Sequence, residues 1–132
     1  MNAVRVLLVA GLLACGAPAV AQDGTQRAAQ APQASLAGEY HLDGVMETGS
    51  GLLLRQDGTF EWYFTYGALD LAARGRWRYE GADVVLDVEE FLAPAGHEAM
   101  KFEKLKLRAD GMDLVPAWPW DGGAERGRYT RE

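Results

Sequence analysis

From Leu36 onward, apolar and polar residues alternate in short runs that glycine-containing turns interrupt. Alternation with a period of two is typical of strands with one buried face, and frequent turns between such runs indicate an all-β meander. The pattern predicts about eight strands, of which Gly38–Asp43 is the first and Glu125–Arg131 the last. Such a sheet tends to close on itself, so we expect a small antiparallel, up-and-down β-barrel.

Three glycine turns predict the register of neighbouring strands. The turn at residues 56–58 pairs Leu54 with Phe60 and Leu52 with Trp62, which puts the apolar residues on one face. The dipeptide Asp110-Gly111 is typical of a type I′ turn, and it pairs Leu107 with Leu114 and Arg108 with Asp113. Both hairpins would direct their large apolar side chains to the same side of the sheet.

The turn at Gly81-Ala82 has glycine first, as a type II′ hairpin prefers. It pairs Tyr79 with Val84, Trp77 with Leu86, Gly75 with Val88, Arg76 with Asp87 and Arg74 with Glu89. Aromatic and aliphatic residues meet on one face, and opposite charges meet on the other, so the two faces predict the same register.

The inward positions of these strands are bulky and predict a filled core with at most a shallow pocket. The expected inward residues are Phe60, Trp62, Phe64, Trp77, Tyr79, Leu86, Leu105, Leu107 and Tyr129.

The N-terminal residues 1–21 have the three parts of a secretory signal peptide. Arg5 precedes an apolar run, and small residues end in Ala19-Val20-Ala21, which predicts cleavage before Gln22 and a periplasmic or secreted product. Leu12-Leu13-Ala14-Cys15 resembles a bacterial lipobox, so the alternative is a protein anchored to the membrane by lipidation of Cys15. Cys15 is the only cysteine, which leaves the folded part without a thiol for a disulfide or a thiolate metal site.

The next segment, residues 22–35, lacks aromatic and β-branched apolar residues and is expected to be a disordered tether. The barrel domain is then residues 36–132. The net charge of the chain is −6, and its isoelectric point is near 4.9. An acidic domain of this kind argues against nucleic acid as a partner, since phosphate recognition needs a basic face. We expect a monomer.

Residues that could support catalysis are not arranged for it in the sequence. His41 and His97 have no partners at ligand spacing, so no metal site or cofactor is predicted. Ser50 lies in Thr48-Gly49-Ser50-Gly51, which lacks the spacing of a nucleophile elbow. The carboxylates Asp87 and Glu89 face predicted arginine partners. We therefore expect a protein that is not an enzyme and has no catalytic residues.

Three motifs together resemble those of small lipocalin-like barrels that many Gram-negative bacteria export. They are a Gly-x-aromatic triplet at Gly38, the Leu52–Phe60 hairpin and a second Gly-x-aromatic triplet at Gly75. The resemblance covers residues 36–131 and implies a barrel that binds small apolar molecules. The longer barrel and terminal helix of full lipocalins are absent from the sequence.

The aromatic segment after the seventh strand is the candidate binding site. Trp118 and Trp120 alternate with prolines in a stiff loop at a barrel end, and Tyr66 is the third candidate residue. Exposed tryptophans there could hold a ligand or partner, whereas buried ones would close the barrel mouth. The leading hypothesis is a binding protein for a small apolar or amphipathic envelope molecule. The alternative is a periplasmic interaction module of inhibitor or immunity type that presents an acidic surface around Asp83, Asp87 and Glu89 to a protein partner.

Overall fold

In this computed structural model, which describes residues 33–132, nine strands form one antiparallel sheet. The strands are β1 Gly38–Asp43, β2 Thr48–Leu54, β3 Thr59–Tyr66, β4 Leu69–Glu80, β5 Asp83–Leu92, β6 Lys104–Asp110, β7 Asp113–Trp118, β8 Ala124–Glu125 and β9 Arg128–Arg131. Strands β1 to β7 pair in chain order, and β9 pairs with both β7 and β1. The predicted eight-stranded barrel is therefore confirmed, with β8 as an extra strand beside β7.

Local turn chemistry sets the register of the hairpins. The β2–β3 pairing of Leu54 with Phe60 and the β4–β5 pairing of Trp77 with Leu86 are as predicted. The predicted β6–β7 register is wrong, because Leu114 lies opposite Ala109 and not Leu107. Gly111 takes the first turn position with a φ of 62°, so the turn contains residues 111 and 112. A shift of two residues leaves every side chain on its predicted face.

A β-bulge corrects one further predicted pair. Arg74 lies opposite Glu90, and Gly75 lies opposite Val88, so Glu89 is an extra residue in β5. The bulge brings β5 very close to Gly75, where an added Cβ would lie 2.1 Å from the carbonyl oxygen of Asp87. Glycine at this position therefore allows the strand to bend where the barrel curves.

The predicted inward residues fill the barrel. Eight of them are buried, and Tyr79, the ninth, is partly buried and packs against the rest. A hydrogen-bonded group crosses this apolar core: Trp62 Nε1 donates to the Tyr129 hydroxyl at 2.9 Å, and that hydroxyl lies 2.6 Å from Ser50 Oγ. Because Ser50 Oγ donates to the carbonyl of Tyr63 at 2.5 Å, it accepts from Tyr129. Burial raises the pKa of Tyr129, so the hydroxyl keeps the proton it donates.

Replacing Tyr129 by phenylalanine should lower the free energy of unfolding by about 1–3 kcal/mol, because the buried Trp62 N–H loses its acceptor. Denaturant unfolding followed by tryptophan fluorescence measures this change. Tyr63→Phe removes the same atom from a side chain that is 48% exposed on the outer face. That control should change stability by less than about 0.5 kcal/mol. Equal effects of the two variants would contradict the role of the buried hydroxyl.

A helical turn at residues 33–36 directly precedes β1 and covers one end of the barrel. Leu36 and Ala37 are buried there, and Arg131 donates to the carbonyls of Ser35 and Ala37 at 2.8 and 2.5 Å. Residues 33–35, the end of the predicted tether, form this helical turn together with Leu36. The predicted signal peptide, the rest of the predicted tether and Cys15 lie outside the described residues. Within residues 33–132 no helix combines the length and apolar character needed to cross a bilayer.

Candidate functional site

The three residues of the predicted site lie in different environments. Trp118 is 3% exposed, and its indole N–H donates to the carbonyl of Arg126 at 2.9 Å. Trp120 is partly buried in the 3₁₀ turn Pro119–Asp121 and stacks on Trp118 with ring centroids 4.8 Å apart. Tyr66 is 52% exposed at the end of β3, and among residues 33–132 no ring contact joins it to either tryptophan. The structure brings two of the three candidates together.

The tryptophans belong to an aromatic cluster that closes one end of the barrel. Trp120 lies 5.3 Å from Phe64 and 6.0 Å from Phe102, ring centroid to ring centroid. Phe102 in turn packs edge-on against Trp62 and Phe91 at 5.3 and 4.9 Å. These contacts fill the mouth with side chains, as expected if the rings plug the barrel.

The outer face around Asp83, Asp87 and Glu89 carries charges of both signs. Asp87 forms ion pairs with Arg78 and Lys104, the latter at 3.8 Å. Glu89 lies 3.7 Å from Arg76. Because basic side chains alternate with these carboxylates, the face is a network of exposed ion pairs and not a uniformly acidic surface.

A groove of about 580 Å³ lies on the outer surface and crosses strands β1 to β5. This volume is within the range of small-molecule binding sites. Two neighbouring rows of outward residues line the groove, and each row contains one residue from each of the five strands β1 to β5. The first row is Glu39, Leu53, Glu61, Arg74 and Glu90, and the second is His41, Gly51, Tyr63, Ala72 and Leu92.

The second row makes the depression, because small residues flank its one large ring. An added Cβ on Gly51 would lie 2.4 Å from Cε1 of Tyr63, so the tyrosine ring covers the glycine. On the other side of Tyr63, the small side chain of Ala72 leaves a depression in the surface beside Leu92, which is 61% exposed. The row is therefore apolar from its centre to its β5 end.

The first row is charged, and most of its groups are paired. Glu61 accepts from Arg55 at 2.7 Å, and Arg74 forms an ion pair with Glu90. In the second row, His41 lies 2.5 Å from a carboxylate oxygen of Glu132. The exposed carboxylate of Glu39 has no ion pair with any residue from 33 to 132. A ligand in this groove would meet charges along one edge and apolar groups along the other.

Sequence analysis missed this groove, although the predicted pairing of Leu52 with Trp62 also implies that Leu53, Glu61 and Tyr63 share the outer face. The available signal was the pair of small residues, Gly51 on β2 and Ala72 on β4, at outward positions on the two strands that flank Tyr63 of β3. Small outward residues beside a tyrosine indicate a depression only once the register of several strands is known.

Other chemistry is sparse in this part of the protein. Among residues 33–132, no group of three or more His, Cys, Asp or Glu side chains is arranged to hold a metal ion. Comparison with models of known families, with curated proteins and with solved structures found no match to this chain.

Proposed function

We propose that this protein is an exported, non-enzymatic binding protein that holds a small amphipathic molecule in the groove across β1 to β5. The observation that carries the proposal is the groove itself, whose 580 Å³ combine a charged row with an apolar row. A molecule with one polar and one apolar part can satisfy both rows at once. The export signal at residues 1–21 would deliver the protein to the periplasm or the medium, where envelope amphiphiles occur.

This proposal keeps the ligand class implied by the lipocalin-like resemblance and moves the site to the outer surface. The interior offers little room, because Trp62, Phe64 and Trp118 are each less than 10% exposed and contact neighbouring rings. Packed cores have few voids larger than a water molecule. The apolar surface available to a ligand is therefore that of Tyr63, Ala72 and Leu92.

The interaction-module hypothesis has weaker support. Its expected acidic surface would need free carboxylates at Asp87 and Glu89, and both form ion pairs. A basic partner would have to break these pairs to reach the carboxylates. Exposed ion pairs of this type contribute little to stability. The hypothesis can be tested directly by looking for a protein partner that co-purifies with this protein.

Filling the groove should prevent binding. In Ala72→Trp, an indole occupies the space between Tyr63 and Leu92, and the dissociation constant of the neutral probe 1-N-phenylnaphthylamine should rise at least about tenfold. Probe fluorescence measures binding, and circular dichroism checks the fold. Ala117→Trp is the matched control, because Ala117 also faces outward, on β7, and does not line the groove.

The same experiment separates the groove from the barrel end. If the probe enters the barrel beside the tryptophans, Trp120→Ala will change its affinity strongly and Ala72→Trp will not. That result would contradict the proposed site. If Ala72→Trp and Ala117→Trp behave alike, the groove is not the binding site either.

A further inference from the structure

We infer that the ligand is a single-chain amphiphile with a cationic head group, bound with its head at β1 and its apolar tail directed towards β5. The inference rests on the proposed function and adds to it the charge of the head group and the orientation of the ligand. It follows from the unequal distribution of charge and apolar surface between the two ends of the groove.

The β1 end of the groove is acidic. Glu39 is exposed, and none of residues 33–132 forms an ion pair with it. The backbone N–H of Glu132 donates to the carbonyl of Glu39 at 3.1 Å, and the side chain of Glu132 lies against His41, so Glu39 supplies the carboxylate of this end that has no ion pair among residues 33–132. In the first row, Leu53 separates Glu39 from Glu61, and Glu61 forms an ion pair with Arg55. A positive head group would therefore be attracted to Glu39, and a negative one repelled.

The β5 end of the groove has no net charge, and its second row is apolar. Arg74 and Glu90 lie opposite each other in the first row and form an ion pair, so their charges cancel. In the second row, Ala72 lies opposite Leu92, which is exposed. An alkyl chain at this end would remove apolar surface from water without separating an unpaired charge from solvent.

Tyr63 occupies the middle of the groove and suits both parts of such a ligand. Its ring is 48% exposed, so it offers an aromatic surface to a tail and a π-face to a nearby cation. Measured along the curved sheet, five adjacent strands span about 19 Å from β1 to β5, since neighbouring strands lie about 4.7–4.9 Å apart. The distance allows head and tail to lie at opposite ends.

Head-group preference is tested with three dodecyl amphiphiles below their critical micelle concentrations. Dodecyltrimethylammonium, neutral dodecyl maltoside and dodecyl sulfate each compete with 1-N-phenylnaphthylamine for the purified protein. The cation should displace the probe at a concentration about threefold lower than the neutral amphiphile does, the size of one exposed ion-pair contribution. Dodecyl sulfate should be the weakest competitor, and salt should reduce these differences.

Glu39→Gln should remove the preference for the cation over dodecyl maltoside while leaving the affinity for dodecyl maltoside unchanged. Glu103→Gln is the matched control, because it makes the same charge change at an exposed residue outside the groove. If both variants reduce the preference equally, the net charge of the protein causes it, and the assigned orientation is wrong.

Failure of this inference differs from failure of the proposed function. Suppose that all three amphiphiles bind the unsubstituted protein equally well and that Ala72→Trp prevents the binding of each. The groove is then a binding site without head-group preference, and only this inference is overturned. If tetralysine, which has no tail, competes as well as dodecyltrimethylammonium, the apolar end has no role and the inference is also overturned. If Ala72→Trp blocks none of them, the proposed function fails.

Discussion

Replacing Trp118 by alanine is expected to lower the free energy of unfolding by about 3–5 kcal/mol, the range for a large aromatic residue removed from a core. The side chain is 3% exposed, contacts the rings of Phe64 and Tyr129, and donates a hydrogen bond to the carbonyl of Arg126. The variant leaves a cavity and an unpaired carbonyl at once. Urea unfolding followed by circular dichroism measures the loss.

Trp120→Ala is the matched comparison, because it makes the same substitution two residues away. Trp120 is only partly buried and stacks against the outer side of the cluster. Its removal should therefore cost about 1–2 kcal/mol, near the ordinary value for a point mutation. A larger loss for Trp120 than for Trp118 would show that the loop is packed differently from the structure described above.

Gly75→Ala is expected to destabilise the barrel by about 3 kcal/mol or more, because its methyl group has no space at the bulge. An added Cβ would lie 2.1 Å from the carbonyl oxygen of Asp87 and 2.8 Å from the amide nitrogen of Glu89. Asp87 is paired with Arg76 on one side and with Lys104 on the other, so its carbonyl oxygen cannot move away independently. The midpoint of thermal unfolding measures the effect.

Gly67→Ala controls for the loss of a glycine without a collision. Gly67 has a φ of 56° in the β3–β4 turn, and an added Cβ there meets no atom within 4 Å. It should cost only about 1–2 kcal/mol from the left-handed backbone. If Gly67→Ala and Gly75→Ala lose equal stability, the close approach at the bulge is not the reason for glycine at position 75.

The barrel was predictable because its determinants are local. Alternation of apolar residues places Trp62 and Trp77 inside, and glycine turns fix the partners of each hairpin within a few residues. Two details of register were not predictable in this way. The turn at Gly111 can contain residues 110 and 111 or residues 111 and 112, and both choices put the same side chains on the inner face. The extra residue Glu89 does not change the alternation of the residues before it, so the pattern does not reveal the bulge.

The groove depends on information that no single hairpin contains. Its rows combine residues from Glu39 on β1 to Leu92 on β5, and they align only when four successive registers are known. One of those registers contains the bulge, without which Arg74 would lie opposite Glu89 and not Glu90. The burial of Trp118 also depends on residues that are distant in the sequence, since a Pro-Trp loop can turn its rings inward or outward.

The pairing of β1 with β9 makes the first and last strands of the barrel neighbours. A chain that folds from its N-terminal side therefore presents β1 with one open edge until Arg128–Arg131 are in place. Such an edge is a template for pairing with another chain. Until the barrel closes, this open edge leaves the folding protein most vulnerable to aggregation, and a partner that covers β1 in that period would protect it.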